Sequence, residues 1–316
     1  MAQSWYSVVD EELASVDESI RKGVRSSYPE LNEMCENVLS SSNQVLMPAL
    51  IILTYYANGG KKAEEAIGNA VCFQASFDGL HLHDSVDSNG NVLPGKKKKL
   101  FSKDPSTTKV IVAGDFMYVM GFRYAYASSP KAVPYLMKAS ETVSNAIFDI
   151  VDRSRKPEIS EEDVMDIVLR KGAIELEVVM ECAAEQSGAG DEARKKMADC
   201  GRYIGTAVQI VNDIKDVLGG DGDKPLCHTL MTGYPTLPLY YAMKDSSVGQ
   251  SIKDAYVNTS LSLKEARMVA SQIGSTDAVA KCRETIEECK RKASEIIMTL
   301  QDSKYRSALI EFVGTL

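Results

Sequence analysis

The sequence predicts an all-α protein, and three observations support this prediction. Apolar residues recur at helical spacing along most of the 316 residues. No alternating apolar and polar pattern bounded by turn residues persists anywhere, and Asn89-Gly90 lies in a polar stretch without strand-like flanks. Apolar residues make up 44% of the chain, which is enough to bury a large core. Because no clear linker interrupts the pattern, we expect a single domain over residues 1–316.

The predicted helices follow one another along the chain. The first segment has one apolar face, which is formed by Val8, Leu13, Val16, Ile20 and Val24. The same spacing recurs over residues 45–56, 63–87, 106–127, 133–151, 160–186, 191–218, 236–243, 249–257, 262–273 and 275–300. Ser160 is typical of a helix start, because its hydroxyl can cap the helix and the next three residues are acidic. Loops are predicted at residues 88–105 and 219–223, and each directly follows an acidic cluster.

Composition and charge exclude several classes of protein. The net charge of -8 and the pI near 5.1 argue against a general nucleic-acid-binding protein. No apolar run approaches the length of a membrane span, so we expect no integral membrane segment. The seven cysteines include no Cys-x-x-Cys pair, and the start of the chain has no signal-peptide pattern. A cytoplasmic protein with free thiols is therefore expected.

Two short acidic clusters carry the strongest indication of chemistry. They are His83-Asp84-Ser85-Val86-Asp87 and Asn212-Asp213-Ile214-Lys215-Asp216. Two carboxylates in each cluster are three residues apart, a spacing that places both on one face of a helix. Carboxylates that face each other across a helical cavity can hold hard divalent cations against a diphosphate. The alternative is that they form only a solvated helix face.

The clusters, with several shorter segments, resemble the trans-prenyltransferase (polyprenyl diphosphate synthase) family over nearly the whole chain. Residues 79–87 resemble its Ser-Leu-x-His-Asp-Asp-x-x-Asp motif, and residues 205–216 resemble its Gly-x-x-Phe-Gln-x-x-Asp-Asp-x-x-Asp motif. The family's Ala-Gly-Asp, Lys-Thr-Ala, Gly-Lys-Pro and Gly-Lys-x-Thr-Leu-Pro segments resemble residues 113–115, 171–173, 223–225 and 233–238. Each similarity is short, but their order and spacing agree. Each acidic cluster looks like an Asp-Asp-x-x-Asp motif without its first aspartate.

The resemblance implies a fold, a reaction and a set of site residues. It implies an isoprenoid-synthase-type bundle of roughly ten or more helices around a central cavity, assembled as a homodimer. It implies that magnesium helps to join an allylic isoprenoid diphosphate to isopentenyl diphosphate. The implied metal ligands are His83, Asp84, Asp87, Asn212, Asp213 and Asp216. The implied catalytic residues are Lys171, Gln209 and Lys224, and the implied diphosphate-binding residues are Lys171, Lys224, Lys96 and Lys97.

The chain departs from the family pattern at several of these positions. His83 and Asn212 replace aspartates, so magnesium affinity is expected to fall. His83 and Asp87 also leave open a softer metal such as zinc or manganese. The family's Gly-Lys-Arg-x-Arg-Pro segment aligns with residues 43–48, which contain no cation, and its binding histidine aligns with Ser76. Its Arg-Arg pair aligns near residues 95–96, so only the lysine run at 96–99 could replace it, unless that run is a solvated loop. Asp78 takes the place of the side chain that limits product length.

Three functions are compatible with this pattern. The first is a divergent trans-prenyltransferase that acts on an allylic diphosphate, with an altered or missing isopentenyl diphosphate site. The second is a non-catalytic partner subunit, which would form a heteromer with an active prenyl diphosphate synthase. The third is a terpene-cyclase-like lyase that ionises one allylic diphosphate, although most of the cyclase Asn-x-x-x-Ser-x-x-x-Glu pattern is missing, with Asp216 and Gly220 at its later positions.

Overall fold

A computed structural model describes residues 4–40, 45–86, 90–92, 106–219 and 227–316. Across these ranges the regular structure is helical, apart from one isolated antiparallel bridge between Val86 and Val92. The prediction of an all-α protein is therefore confirmed. Among the helices of the same ranges, none combines the length and the apolar character needed to cross a membrane.

The helices are named here in chain order. They are α1 (Asp10–Gly23), α2 (Pro29–Leu39), α3 (Leu46–Ala57), α4 (Ala63–His83), α5 (Thr107–Ser128), α6 (Ala132–Arg153), α7 (Glu161–Ile167), α8 (Ile174–Gln186), α9 (Asp191–Leu218), α10 (His228–Thr232), α11 (Leu237–Ala242), α12 (Gly249–Val257), α13 (Leu263–Gly274), α14 (Ala278–Ile297) and α15 (Lys304–Thr315). A 3-10 turn, Ser7–Val9, precedes α1, and a π-helical turn, Val168–Ala173, joins α7 to α8. The helical periodicity of the sequence does not predict α2, α10 or α15.

The chain forms two compact units. Unit 1 consists of Met1–Ala139, Glu175–Gly201 and Ser294–Thr315, and unit 2 consists of Ser140–Ile174, Arg202–Ala293 and Leu316. The single domain expected over residues 1–316 stays a prediction.

Unit 1 contains two helices whose backbones approach closely, α4 and α5. A Cβ atom added at Gly79 would lie 2.5 Å from the carbonyl oxygen of Gly114, and one added at Gly114 would lie 2.7 Å from the carbonyl oxygen of Gly79. At Gly121 an added Cβ would meet the hydroxyl oxygen of Ser76. Only glycine allows so close an approach, so these residues fix the contact that places the end of α4.

Unit 2 is organised around apolar clusters on both sides of α9. One cluster joins Ala207 and Ile210 of α9 to Val164 of α7 and to Ile286 of α14. A second cluster, around Tyr256, joins α12 to the helices that follow it. The predicted start at Ser160 is confirmed, because its hydroxyl accepts a hydrogen bond from the Asp163 N–H and a capping box is complete. This packing holds the second acidic cluster within α9.

Candidate functional site

The first acidic cluster does not lie on a continuous helix. The sequence predicts helix through residue 87, but α4 ends at His83, and Asp84 and Ser85 form a turn. The predicted helix through residue 87 is therefore wrong at its end, and the arrangement of the carboxylates at 84 and 87 stays a prediction. The chain leaves the helix to reach the bridge between Val86 and Val92. Asp87 itself lies outside the described residues, as do Lys96, Lys97 and Lys224.

His83 is bound to α5 by its side chain. Its Nε2 lies 3.1 Å from the carbonyl oxygen of Ile111 and 3.2 Å from Oδ1 of Asp115. A carbonyl oxygen only accepts hydrogen bonds, so Nε2 carries a hydrogen and donates it. The ring lies against the backbone at Gly114, where an added Cβ would be 2.5 Å from Nε2. The Nε2 atom of His83 is therefore directed at the backbone and at Asp115 of α5.

The second cluster lies on α9, as predicted, and Asp213 is its buried member. The Asp213 side chain accepts a hydrogen bond from Nε2 of Gln209 at 2.8 Å, and the residue is 7% exposed. Burial raises the pKa of Asp213 to about 7, although the Gln209 hydrogen bond and the charge of Lys171 both act to lower it. The pKa of Asp213 therefore lies well above that of an exposed carboxylate.

Asp216 and Asn212 have different surroundings from Asp213. Oδ1 of Asp216 accepts a hydrogen bond from the His228 N–H at 2.8 Å, and its Oδ2 accepts one from the Thr229 N–H at 2.9 Å. The side chain of Asp216 thus faces the start of α10. Asn212 is exposed. The two carboxylates of this cluster, predicted to act together on a cation, are directed to different partners.

The π-helical turn brings Lys171 and Gln209 into one place in unit 2. A Cβ added at Gly172 would lie 2.5 Å from Oε1 of Gln209, and one added at Gly205 would lie 2.6 Å from Cα of Ala173. The turn and α9 therefore approach closely, with the Gln209 side chain against the backbone at Gly172. The charge of Lys171 acts on Asp213. The structure thus brings together three predicted site residues, Lys171, Gln209 and Asp213. They lie at a π-helical turn, a feature that is often found at functional sites.

The predicted isopentenyl diphosphate position in unit 1 is described only in part. Met47 is 9% exposed and Ser76 is fully buried, and Gln44 lies outside the described residues. Asp78 is buried and accepts a hydrogen bond from Nε2 of Gln74 at 2.8 Å. Among the described residues at this position there is no cation to receive a phosphate.

A histidine–glutamate pair in unit 1 is a feature that sequence reasoning missed. Nε2 of His81 lies 3.0 Å and 3.1 Å from the two carboxylate oxygens of Glu175, which is 8% exposed. The charge of Glu175, with smaller effects of Asp84 and Asp78, raises the pKa of His81 to about 9. The partners are 94 residues apart, so no local pattern indicates the pair.

The described residues do not fit a magnesium ion. Nowhere in the described ranges do three His, Cys, Asp or Glu side chains converge in a way that could hold a metal. The carboxylates of Asp213 and Asp216 are directed to different partners, and Asp87, another predicted ligand, lies outside the described residues. Magnesium requires several oxygen ligands in nearly octahedral geometry, which these side chains do not offer.

A cavity of about 450 Å³ lies elsewhere in unit 2. Its lining includes Met165, Leu169, Tyr203 and Cys289, and none of the predicted site residues. The predicted site therefore rests on Lys171, Gln209 and Asp213 and not on this cavity.

Comparison with known proteins gives matches along most of the chain. A family model described as polyprenyl synthetase matches residues 29–273. The octaprenyl diphosphate synthase of Escherichia coli is 25% identical over 315 residues, covering 95% of this chain and 93% of that protein. The heptaprenyl diphosphate synthase component 2 of Bacillus subtilis is 23% identical over 314 residues, covering 96% of this chain and 87% of that protein.

Solved structures show the same fold. The heptaprenyl diphosphate synthase of Staphylococcus aureus superposes with a TM-score of 0.84 at 21% identity, covering 97% of each chain. The polyprenyl synthase of Caulobacter crescentus superposes with a TM-score of 0.85 at 19% identity, covering 98% of this chain and 95% of that one. Because these identities are low, the likeness establishes the all-α fold of these synthases and nothing finer.

Proposed function

Because the chain belongs to the polyprenyl synthetase family, we propose that it is a divergent prenyltransferase that binds an allylic isoprenoid diphosphate in unit 2. The observation that supports this proposal is the meeting of Lys171, Gln209 and Asp213 where the π-helical turn approaches α9. A cation and an amide beside a buried carboxylate offer hydrogen-bond donors to a phosphate.

Lys171 and Gln209 have distinct tasks in the proposal. The Lys171 ammonium stabilises the negative charge of the diphosphate. This stabilisation increases as further negative charge develops on the leaving group. Gln209 donates to Asp213 and lies against Gly172, so its position is fixed before the ligand binds. Magnesium, which the resemblance implies, would neutralise diphosphate charge when bound. Since the described residues do not fit it, the proposal assigns charge neutralisation to lysines, with Lys224 as a second one.

The proposal is tested by calorimetry with geranyl and farnesyl diphosphate. Lys171→Ala should weaken binding by about tenfold to a hundredfold, which corresponds to the loss of one charge-assisted hydrogen bond. Lys264→Ala, at an exposed lysine of the same unit, is the matched control and should bind like the unaltered protein. If the two variants bound equally well, the site would lie elsewhere.

A second candidate function is a non-catalytic partner subunit of an active synthase. It is favoured by the internal hydrogen bonds of His83 and Asp216, which occupy groups expected to serve a metal. The relatives also include proteins named component 2 of heptaprenyl diphosphate synthase, from Bacillus subtilis and Geobacillus stearothermophilus.

Measurement of the mass in solution separates the two candidates. The prenyltransferase proposal expects a homodimer, as the resemblance implies, whose mass does not change when an authentic prenyl synthase is added. A new, heavier species on mixing would instead support the partner subunit. Release of diphosphate from an allylic substrate alone would support a lyase.

A further inference from the structure

We infer that the cavity beside α9 in unit 2 binds a long-chain monocarboxylate, which is an apolar chain with a single anionic head. The cavity has a volume of about 450 Å³, and its lining comes from α7, the π-helical turn, α9 and α14. All of the lining residues belong to unit 2. The volume falls in the range of about 300 to 1,000 Å³ that is usual for small-molecule sites.

Much of the lining is suited to a hydrocarbon chain. Met165 of α7 and Leu169 of the π-helical turn contribute to it, and Leu169 is 37% exposed although it is a large apolar residue. Cys289 of α14 is buried, and burial raises the pKa of its thiol to about 11, so the thiol is uncharged at neutral pH. The Thr206 hydroxyl donates to the carbonyl oxygen of Arg202 at 2.8 Å, within α9. A bound hydrocarbon chain would remove apolar surface of these residues from water, which is favourable.

Two cations of the lining lie around one aromatic ring. Cζ of Arg202 lies 5.9 Å from the centroid of the Tyr203 ring, and Nζ of Lys292 lies 5.3 Å from the same centroid. Both distances are within the reach of a cation–π contact. The ring therefore keeps a guanidinium and an ammonium close to each other at the cavity.

The charges of the lining are arranged along the cavity. The helices α9 and α14 are antiparallel, because Tyr203 contacts Lys292, whereas Asp213, later on α9, acts on the thiol of Cys282, earlier on α14. Glu284 precedes Lys292 on α14 by more than two turns, so it lies towards the end of the cavity away from Tyr203. An anionic head is therefore expected at the Tyr203 end, with its chain directed towards the other.

The carboxylate of Glu288 does not cancel the cations at the Tyr203 end. It lies 2.7 Å from Nη2 of Arg291 and 3.2 Å from Nζ of Lys292, and hydrogen bonds from these two residues lower its pKa to about 2. Among the described residues that line this end, Arg202 and Lys292 are thus accompanied by one carboxylate, which Arg291 also shares. This small positive excess matches a singly charged head better than a diphosphate, whose several charges would be left without enough cations.

Calorimetry with dodecanoate, kept below the concentration at which it forms micelles, tests this inference on the full chain. Dodecyltrimethylammonium, which carries a cationic head on a similar chain, is the control ligand. The variants Arg202→Gln and Lys292→Gln each remove one positive charge, and Thr285→Phe places a larger side chain in the lining. Arg283→Gln, at an exposed arginine of α14 outside the lining, is the matched control for the loss of charge. Thermal unfolding of each variant shows whether it is folded.

We expect the unaltered protein to bind dodecanoate, and to bind dodecyltrimethylammonium at least about tenfold more weakly. Arg202→Gln and Lys292→Gln should each weaken dodecanoate binding by about threefold to tenfold, as the loss of a partly exposed ionic contact does, and Arg283→Gln should not. Thr285→Phe should weaken it by about tenfold or more, and if this variant does not fold, the two charge variants decide.

Three results would overturn the inference. They are the absence of dodecanoate binding, equal binding of the two ligands, and an unchanged affinity in either charge variant. None of these measurements involves an allylic diphosphate, so their outcome is independent of the proposed function.

Discussion

At the scale of single residues, backbone groups are the partners of two side chains that the sequence assigns to a metal. His83 donates to the carbonyl oxygen of Ile111, and Asp216 accepts from the amides that begin α10. Hydrogen bonds of a charged or polar side chain to a fixed backbone group restrict its orientation. The two residues are therefore already committed to positions within the fold.

His83→Asp should destabilise the protein, although it restores an aspartate to the first motif. The new carboxylate would face the carbonyl oxygen of Ile111 and the carboxylate of Asp115 without a hydrogen to donate. Because this contact is partly exposed, we expect a loss of about 0.5 to 1.5 kcal/mol in the free energy of unfolding, measured by urea denaturation. His83→Gln, which keeps a donor, and Asp115→Ala should both have smaller effects. An equally stable His83→Asp would show that the Ile111 hydrogen bond contributes nothing.

The His81–Glu175 pair predicts a dependence of stability on pH. The pKa of His81 is raised from 6.5 to about 9 in the folded protein, mainly by the charge of Glu175. The stabilisation is fully present below the unfolded pKa of 6.5 and is lost as the pH rises through about 9. The His81 side chain is 51% exposed, so solvent screening limits the effect to about 1 kcal/mol or less.

The difference in unfolding free energy between the unaltered protein and His81→Gln measures this effect. It should shrink between pH 6.5 and pH 9. A difference that stays constant over this range would exclude the ion pair as its source.

The residue types of the candidate site could be predicted from the sequence, but their partners could not. Lys171, Gln209 and Asp213 were expected in one site, and the structure places them together in unit 2. The contacts of Asp216 with α10 could not be foreseen, because a backbone N–H has no signature in the sequence. The same is true of Ile111, whose carbonyl group and not its side chain contacts His83.

At the scale of elements, one arginine joins the ends of two helices in unit 2. Nη1 of Arg155 donates to the carbonyl oxygens of Tyr256 and Asn258, both at 2.8 Å, and Nη2 donates to that of Met231. Tyr256 and Met231 lie in the last turns of α12 and α10, where carbonyl groups lack partners within the helix. A planar guanidinium can reach all of these acceptors at once.

Arg155→Lys should lower the free energy of unfolding by about 2 kcal/mol, because a single ammonium cannot reach all three carbonyl oxygens. Arg155 has a φ of 60°, and lysine would carry the same backbone strain, so the comparison isolates the hydrogen bonds. Arg283→Lys, at an exposed arginine of the same unit, should change the free energy of unfolding by less than about 0.5 kcal/mol. Urea denaturation measures both, and equal values would show that the Arg155 guanidinium is not needed.

Most helices could be predicted from apolar spacing, and the exceptions have physical causes. The predicted run at 191–218 coincides with α9, and the start predicted at Ser160 is confirmed. The run at 160–186 contains a π-helical turn that periodicity cannot detect, because one additional residue in a turn hardly alters the apolar pattern. The helix α10 is only five residues long, which is too short for apolar spacing to predict, and its first two amides donate to Asp216.

At the scale of the whole molecule, the chain has the fold of the polyprenyl synthetases, and its sequence departs from the family pattern at several predicted site positions. The matches to synthases cover at least 95% of this chain in the octaprenyl and heptaprenyl examples above. The predicted isopentenyl diphosphate position, in contrast, has Val45, Met47 and Ser76 where the resemblance expects cations and a histidine. Burying a diphosphate there without a cation would be unfavourable.

Condensation with isopentenyl diphosphate should therefore be slow or absent. In calorimetry isopentenyl diphosphate should bind at least about tenfold more weakly than an allylic diphosphate, since one missing ionic contact weakens binding by this factor. Any residual binding should depend on Lys96 and Lys97. A radiolabelled condensation assay, with an authentic octaprenyl diphosphate synthase as the positive control, measures turnover. Efficient condensation by the unaltered protein would contradict the loss of this half of the site.

The contact between Ser76 and Gly121 limits which side chains residue 76 can hold. Ser76 is fully buried, and its hydroxyl oxygen lies where a Cβ of Gly121 would be. An imidazole at residue 76 would have several more atoms to place in a space that is already filled, so α4 and α5 would have to separate. Replacing Ser76 alone with histidine is therefore expected to destabilise unit 1, whatever the imidazole would add to substrate binding.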